Sequence, residues 1–194
     1  AVGDLNGLEN SLETGLNSGL SVNEIKEVIV HLYAYCGFPR SIRGLQTVIA
    51  LLEKRKAAGI IDQWGPEASA INDERSKYDR GKSVLEELVG TPLNGPQKGY
   101  AEFSPEIEVF LKEHLFADLF ERDVLTYAER ELVTISVIAS LGNLEPMLRG
   151  HLNICLNLGL TERQLEEAFT IVGKSTSGKK GSEAKSILNE ITER

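Results

Sequence analysis

The chain has 194 residues, 41% of them hydrophobic and 26% charged, enough for one sizeable core or two small units packed closely together. A formal net charge of −8 argues against nucleic acid or an anionic membrane as a main partner, and the short "SGKK" near the C-terminus does not reverse it. Two cysteines cannot build a disulfide framework, and no run approaches the ~20 apolar residues of a membrane span.

In chain order, the first signal is a repeat. "LETGLNSGLSVNEIKEV", Leu12–Val28, lies over "LNICLNLGLTERQLEEA", Leu152–Ala168, with Leu12, Leu16, Asn17, Gly19, Leu20 and Glu27 matched by identical residues. In each copy a helix ends near Asn17 or Leu158, and Gly19 or Gly159 takes the left-handed terminating position. Ser21 with Glu24, and Thr161 with Gln164, then form capping boxes that open the next helix. At the upstream edge of the match the copies differ, with Ser11 where the second has His151 and Gly15 where it has Cys155.

Spacing of apolar residues near 3.6 predicts the remaining helices. They fall at about 21–36, 40–57 (a fresh start after Pro39), 79–90, 104–119, 127–141, 145–158, 161–172 and 182–192. Stretches 60–72 and 91–103 read as connecting loops, and β-alternation is almost absent, so an all-α protein is expected. The division expected is 1–59 as the later portion of a first repeat, 60–103 as a linker carrying one helix, and 104–194 as a second repeat. An apolar helix, 127–141, precedes the second copy and has no counterpart before the first. A unit without it exposes apolar surface, so either upstream residues were removed or another subunit covers the gap. The chain opens on Ala1 rather than Met, and no basic-then-apolar leader is seen, so the expectation is a cytoplasmic protein, processed or trimmed at its start.

"RELVTISVIASLGNLEPMLRGHLNICLNLGLTERQLEE" resembles the carboxymuconolactone decarboxylase family, which includes the alkyl hydroperoxidase D-like proteins. "GLSVNEIKEVIVHLYAYCGFPRSIRGLQTVIALLEKR" looks like the later part of the same domain. The resemblance implies an all-helical, alkyl hydroperoxidase D-like fold, assembly as a homotrimer or hexamer, and sites near subunit or repeat interfaces. It also implies one of two chemistries: decarboxylation of a lactone acid, or peroxide reduction by a Cys-x-x-Cys pair with a preceding Glu and a following His. Carried onto this chain, the peroxidase pattern puts Glu131 and His151 in the acid and histidine places but Leu144 and Met147 in the thiol places. Dithiol chemistry needs two thiols, so that branch is disfavoured.

The remaining candidates are weighed one by one. His151 can serve as proton donor in a decarboxylase or isomerase, or simply pack a helix interface. Glu131 opens a helix that is apolar almost all round, and a buried carboxylate needs a partner; Arg130 and Arg149 are candidates. Arg149 can also clamp a substrate carboxylate. A register estimate at 1.5 Å per residue offsets Glu131 and His151 by roughly 7 Å across the hairpin, so direct contact is not expected. Tyr35, His31 and Cys155 are taken as substrate-facing, with a core role an equal reading for the aromatics and a small core hydrophobe for the thiol. His114 reads as a helix-surface or interface residue. No metal ligand spacing, phosphate loop or dinucleotide fingerprint occurs, so no metal and no cofactor are expected. The function expected is a cofactor-free decarboxylase or isomerase on a small carboxylate or lactone, or else a non-catalytic ligand-binding or structural protein.

Overall fold

The repeated sequence becomes three helices used twice. In a computed structural model, which describes residues 1–193, α1 (Leu5–Asn17), α2 (Val22–Cys36) and α3 (Phe38–Ala57) are echoed by α8 (Glu145–Asn157), α9 (Glu162–Ser175) and α10 (Gly178–Thr192). Both expected capping boxes form: Ser21 and Thr161 each accept from the third residue of the helix, whose side chain reaches back to the cap. Gly19 and Gly159 sit at φ 100° and 86°, a backbone region open to glycine at little cost, which is why both copies keep it. Among the described residues there is no strand. The all-α expectation holds.

Matched positions pack alike. Leu12, Ile25 and Ile29 help form the core of the first three helices with Val48 and Leu51. Leu152, Leu165 and Phe169, their partners in the repeat, lie in the largest core cluster, between α7 (Tyr127–Leu141) and α8–α10. Helix α7 also packs against α2 and so lies between the two repeats.

The connection between repeats is more structured than expected. Helix α4 (Lys77–Val89) packs along a π-helical segment, Leu111–Leu119, which continues α6 (Pro105–Phe110) where an unbroken α-helix was predicted. Its i→i+5 bonding shows at the end, where Phe120 N–H donates to the Leu115 carbonyl at 3.0 Å. Gly81 is what lets α4 approach, because a Cβ there would lie 1.8 Å from the Lys112 carbonyl oxygen. A four-residue turn of helix, α5 (Tyr100–Phe103), also occupies the end of the stretch read as loop. Residues 60–72 do run without regular structure, as expected, but they are strapped to α2: Val22 and Asn23 N–H donate to Gln63 and Trp64 carbonyls, both at 2.9 Å.

Candidate functional site

Three helices deliver polar side chains to one buried layer. Helix α7 brings Arg130, Glu131 and Thr134, each 0% exposed, from one face of its first half. Helix α2 brings Glu27, His31 and Tyr35, spaced four apart and therefore stacked along one stripe. Helix α8 brings His151. The start of α7 is fixed by a further capping box, Thr126 with Glu129. Of the two acids in this turn, Glu129 serves the cap and Glu131 is buried.

Glu131 and His151 meet directly, with Oε2 to Nδ1 at 2.8 Å. This corrects the register estimate. The estimate took the ends of α7 and α8 as level, but the link Gly142–Asn143–Leu144, with Asn143 left-handed at φ 58°, separates them. Three residues reach up to about 10 Å, more than the roughly 7 Å to be made up. The His151 side chain is 17% exposed while that of Glu131 is 0% exposed. A carboxylate is thus held in the interior by an imidazole whose edge meets solvent.

Arg149 does not join them. Two residues before His151 it projects from another face of α8 and pairs with Glu190 of α10 at the surface. The carboxylate clamp expected there is therefore not formed within the chain. Arg130, weighed earlier as a partner for Glu131, instead donates from Nη2 to Glu27 Oε1 at 2.7 Å and to the Arg122 carbonyl. Arg122 closes on the same carboxylate from the other side at 2.9–3.1 Å. Burial alone pushes the Glu27 carboxyl up, but the hydrogen bonds and charges of the two arginines outweigh it and the net direction is down.

His31 and Tyr35 converge on one atom. His31 Nε2 and the Tyr35 hydroxyl each lie 3.0 Å from Thr134 Oγ1, and Thr134 donates to the Arg130 carbonyl at 2.9 Å. Phe120 packs edge-on to the His31 ring, centroids 5.2 Å apart. Burial, with the charges of Arg130 and His151, pushes His31 down to about 3, so it is neutral at physiological pH. Burial also pushes the Tyr35 hydroxyl up. Cys155, expected to face substrate, is instead fully buried in the apolar cluster of α7–α10. Burial and the Glu131 charge push its thiol up, which makes it a small core hydrophobe rather than a nucleophile. His114 sits half in solvent, 3.0 Å from Asp118, as a surface residue.

Glu27, Arg122 and Thr134 were missed as site residues. Glu27 carried a usable signal, standing one turn before His31 on the stripe already noted through Tyr35. Its match with Glu167 marks it in the sequence only as a repeat residue. Arg122 and Arg130 lie 95 and 103 residues from Glu27, and nothing in local spacing connects them.

Among the described residues, no group of three or more His, Cys, Asp and Glu is arranged to hold a metal ion, and no helix is long and apolar enough to cross a membrane. A cavity of about 620 Å³ lies away from His151, between α1, α3 and the ends of α7 and α9.

Comparison with known proteins adds two findings. Residues 105–175 match the Carboxymuconolactone decarboxylase family. The 4-carboxymuconolactone decarboxylase of Acinetobacter baylyi is 33% identical over 98 residues, a span covering 50% of this chain and 72% of that protein.

Proposed function

Since the chain belongs to the carboxymuconolactone decarboxylase family, we propose that it is a cofactor-free decarboxylase or isomerase of a small carboxylated lactone. His151 and Glu131 are its proton-handling pair. The observation that carries this is the 2.8 Å contact between a fully buried carboxylate and an imidazole that reaches solvent. A buried carboxylate is expensive to keep in the interior, and its partner is a side chain suited to moving protons near neutral pH.

The chemistry needs little more. When a carboxylate leaves as CO₂, the electron pair of the broken C–C bond stays on the ring and is drawn toward the lactone carbonyl. A proton must then be placed on carbon. The imidazolium form of His151 supplies it, Glu131 orients the ring and balances the charge, and His151 recovers its proton from solvent at its exposed edge. One proton is consumed for each CO₂ released. An isomerase would use the same pair to remove a proton from one carbon and return it to another. Leu144 and Met147 stand where thiol chemistry would need cysteines, which leaves the peroxidase reading without its nucleophile.

The alternative is a non-catalytic ligand-binding or structural member, favoured by how little of His151 is exposed. Incubation with 4-carboxymuconolactone separates the two: the proposal expects catalytic CO₂ release, or exchange of a ring proton with deuterated solvent. Neither event with this lactone or its close analogues would support the alternative.

We also take the protein to be a homotrimer or hexamer. Phe38, Phe103, Ile107 and Phe110 are large apolar side chains left exposed on the single chain. Light scattering should give three or six times 21.3 kDa; a monomer mass at micromolar concentration would refute it.

A further inference from the structure

The buried layer contains more hydrogen-bonding capacity than its side chains use on one another. His31 Nδ1, Arg130 Nε and Nη1, and Glu131 Oε1 are all buried without a partner among the described residues. Leaving such groups unpaired in the interior is expensive, and more so for charged groups than for neutral ones. Thr134, one turn on from Arg130, holds both His31 and Tyr35. The Arg130 charge bears on the His31 ring, and the charges of Arg130 and Glu131 both bear on the Tyr35 hydroxyl.

Their polarity can be worked out. The Thr134 hydroxyl has one hydrogen, and it is directed at the Arg130 carbonyl. His31 Nε2 and the Tyr35 hydroxyl must then both donate to Thr134 Oγ1. His31 is therefore the Nε2–H tautomer, and its Nδ1 is a bare lone pair. The Arg130 charge, which bears on the same ring, favours a lone pair there over an N–H. The unused set is thus two donor positions on Arg130 and two acceptors, His31 Nδ1 and Glu131 Oε1.

We propose that His31, Arg130 and Glu131 form a buried receptor for one hydroxyl-type oxygen, which accepts from Arg130 and donates to His31 Nδ1 or Glu131 Oε1. A single O–H oxygen satisfies donors and acceptors at once, where an apolar group, a bare anion or an ammonium satisfies one kind only. Two sources share this chemistry, a water molecule and a hydroxyl or carboxylic acid group of the substrate. Either one links the neutral His31 of the first repeat to the Glu131–His151 pair, with His31 as a positioning residue. As a role for that pair's site, this rests on the function proposed above.

The test is ¹⁵N spectroscopy of histidine-labelled protein, whose three histidines are assigned by single variants. The expected result is a His31 that stays neutral, protonated on Nε2, with its Nδ1 resonance displaced in the direction of an accepted hydrogen bond. Displacement in the free protein identifies water. Displacement appearing only with saturating γ-butyrolactone-γ-carboxylate, taken up with a proton from solvent so that its carboxyl carries the O–H, identifies the substrate oxygen, and His31→Gln, which keeps a donor for Thr134 but places no acceptor where Nδ1 stood, then weakens that probe about tenfold. Arg130→Lys should abolish the displacement in either case while leaving a cation for Glu27. A proton on Nδ1, or an undisplaced lone pair with and without the probe, overturns the receptor. The His151 signal reports separately: if the lactone acid leaves it unmoved, the proposed function fails, while His31 in the free protein still decides the receptor.

Discussion

The two repeats share their packing and divide the polar chemistry between them. Position by position, His151 of α8 corresponds to Ser11 of α1, whose hydroxyl turns back to the Gly7 carbonyl. In the following helices the inequality reverses. Glu27, His31 and Tyr35 of α2 face α7, while their partners in α9 are Glu167, Ile171 and Ser175, with Ile171 63% exposed. Ser11 and Ser175 line the same cavity, the one of about 620 Å³, so the places matching His151 and Tyr35 also converge, but without the chemistry. Each repeat thus supplies one part of the buried polar layer and α7 supplies the middle. The apolar positions match because both copies must bury the same stripes, whereas the polar ones differ because only one face of each copy meets α7.

Glu27 and Glu167 break or confirm this comparison with the largest effect. Glu27→Gln removes the carboxylate that compensates the fully buried Arg130 and is expected to destabilise by about 3–5 kcal/mol, the scale of breaking a buried ion pair. Glu167→Gln touches an exposed pair with Arg163 and should leave the urea midpoint within scatter. Equal losses at the two sites would mean that the repeats carry the same load.

His31 gives the next effect, and its sign follows from its burial. The folded protein holds this histidine neutral, with its pKa near 3, against 6.5 for a free side chain. Protons therefore bind the unfolded chain first, and the contribution of His31 to stability is lost as pH falls from about 6.5 toward 3. Between pH 6.5 and pH 4.5 that amounts to about 2 kcal/mol. His31→Gln should flatten that slope in urea midpoints measured across the window. Ile171→His, at the matched but exposed place, should leave it unchanged.

A smaller effect concerns the thiols. In the folded protein a thiol reagent should modify the half-buried Cys36 before the fully buried Cys155, and mass spectrometry after brief labelling reads the order. Early labelling of Cys155 would show that the α7–α8 hairpin opens in solution.

Much of the fold was legible because its signals are local. Gly19 and Gly159, the two capping boxes and the apolar spacing each lie within a few residues of what they determine. The π-helical segment at 111–119 was not legible, since "LKEHLFADL" keeps an ordinary helical pattern and its bonding answers to packing against α4 around Gly81. His151 and Glu131 were legible through family resemblance, but their contact was not, because the offset added by Gly142–Leu144 has no sequence signature. The Glu27–Arg122–Arg130 cluster joins residues about half the chain apart. It could not be read from spacing.

The central claim is that His151 is retained for chemistry rather than packing, and His151→Asn tests it most directly. Asparagine keeps a donor near the place of Nδ1, so the buried Glu131 retains a hydrogen bond while the imidazole is lost. Urea midpoint and CO₂ release from 4-carboxymuconolactone should be measured on the same preparation. The account predicts a midpoint shift worth less than about 1 kcal/mol together with loss of turnover. Full turnover in the variant, or a collapsed fold with turnover lost only in proportion, would contradict it.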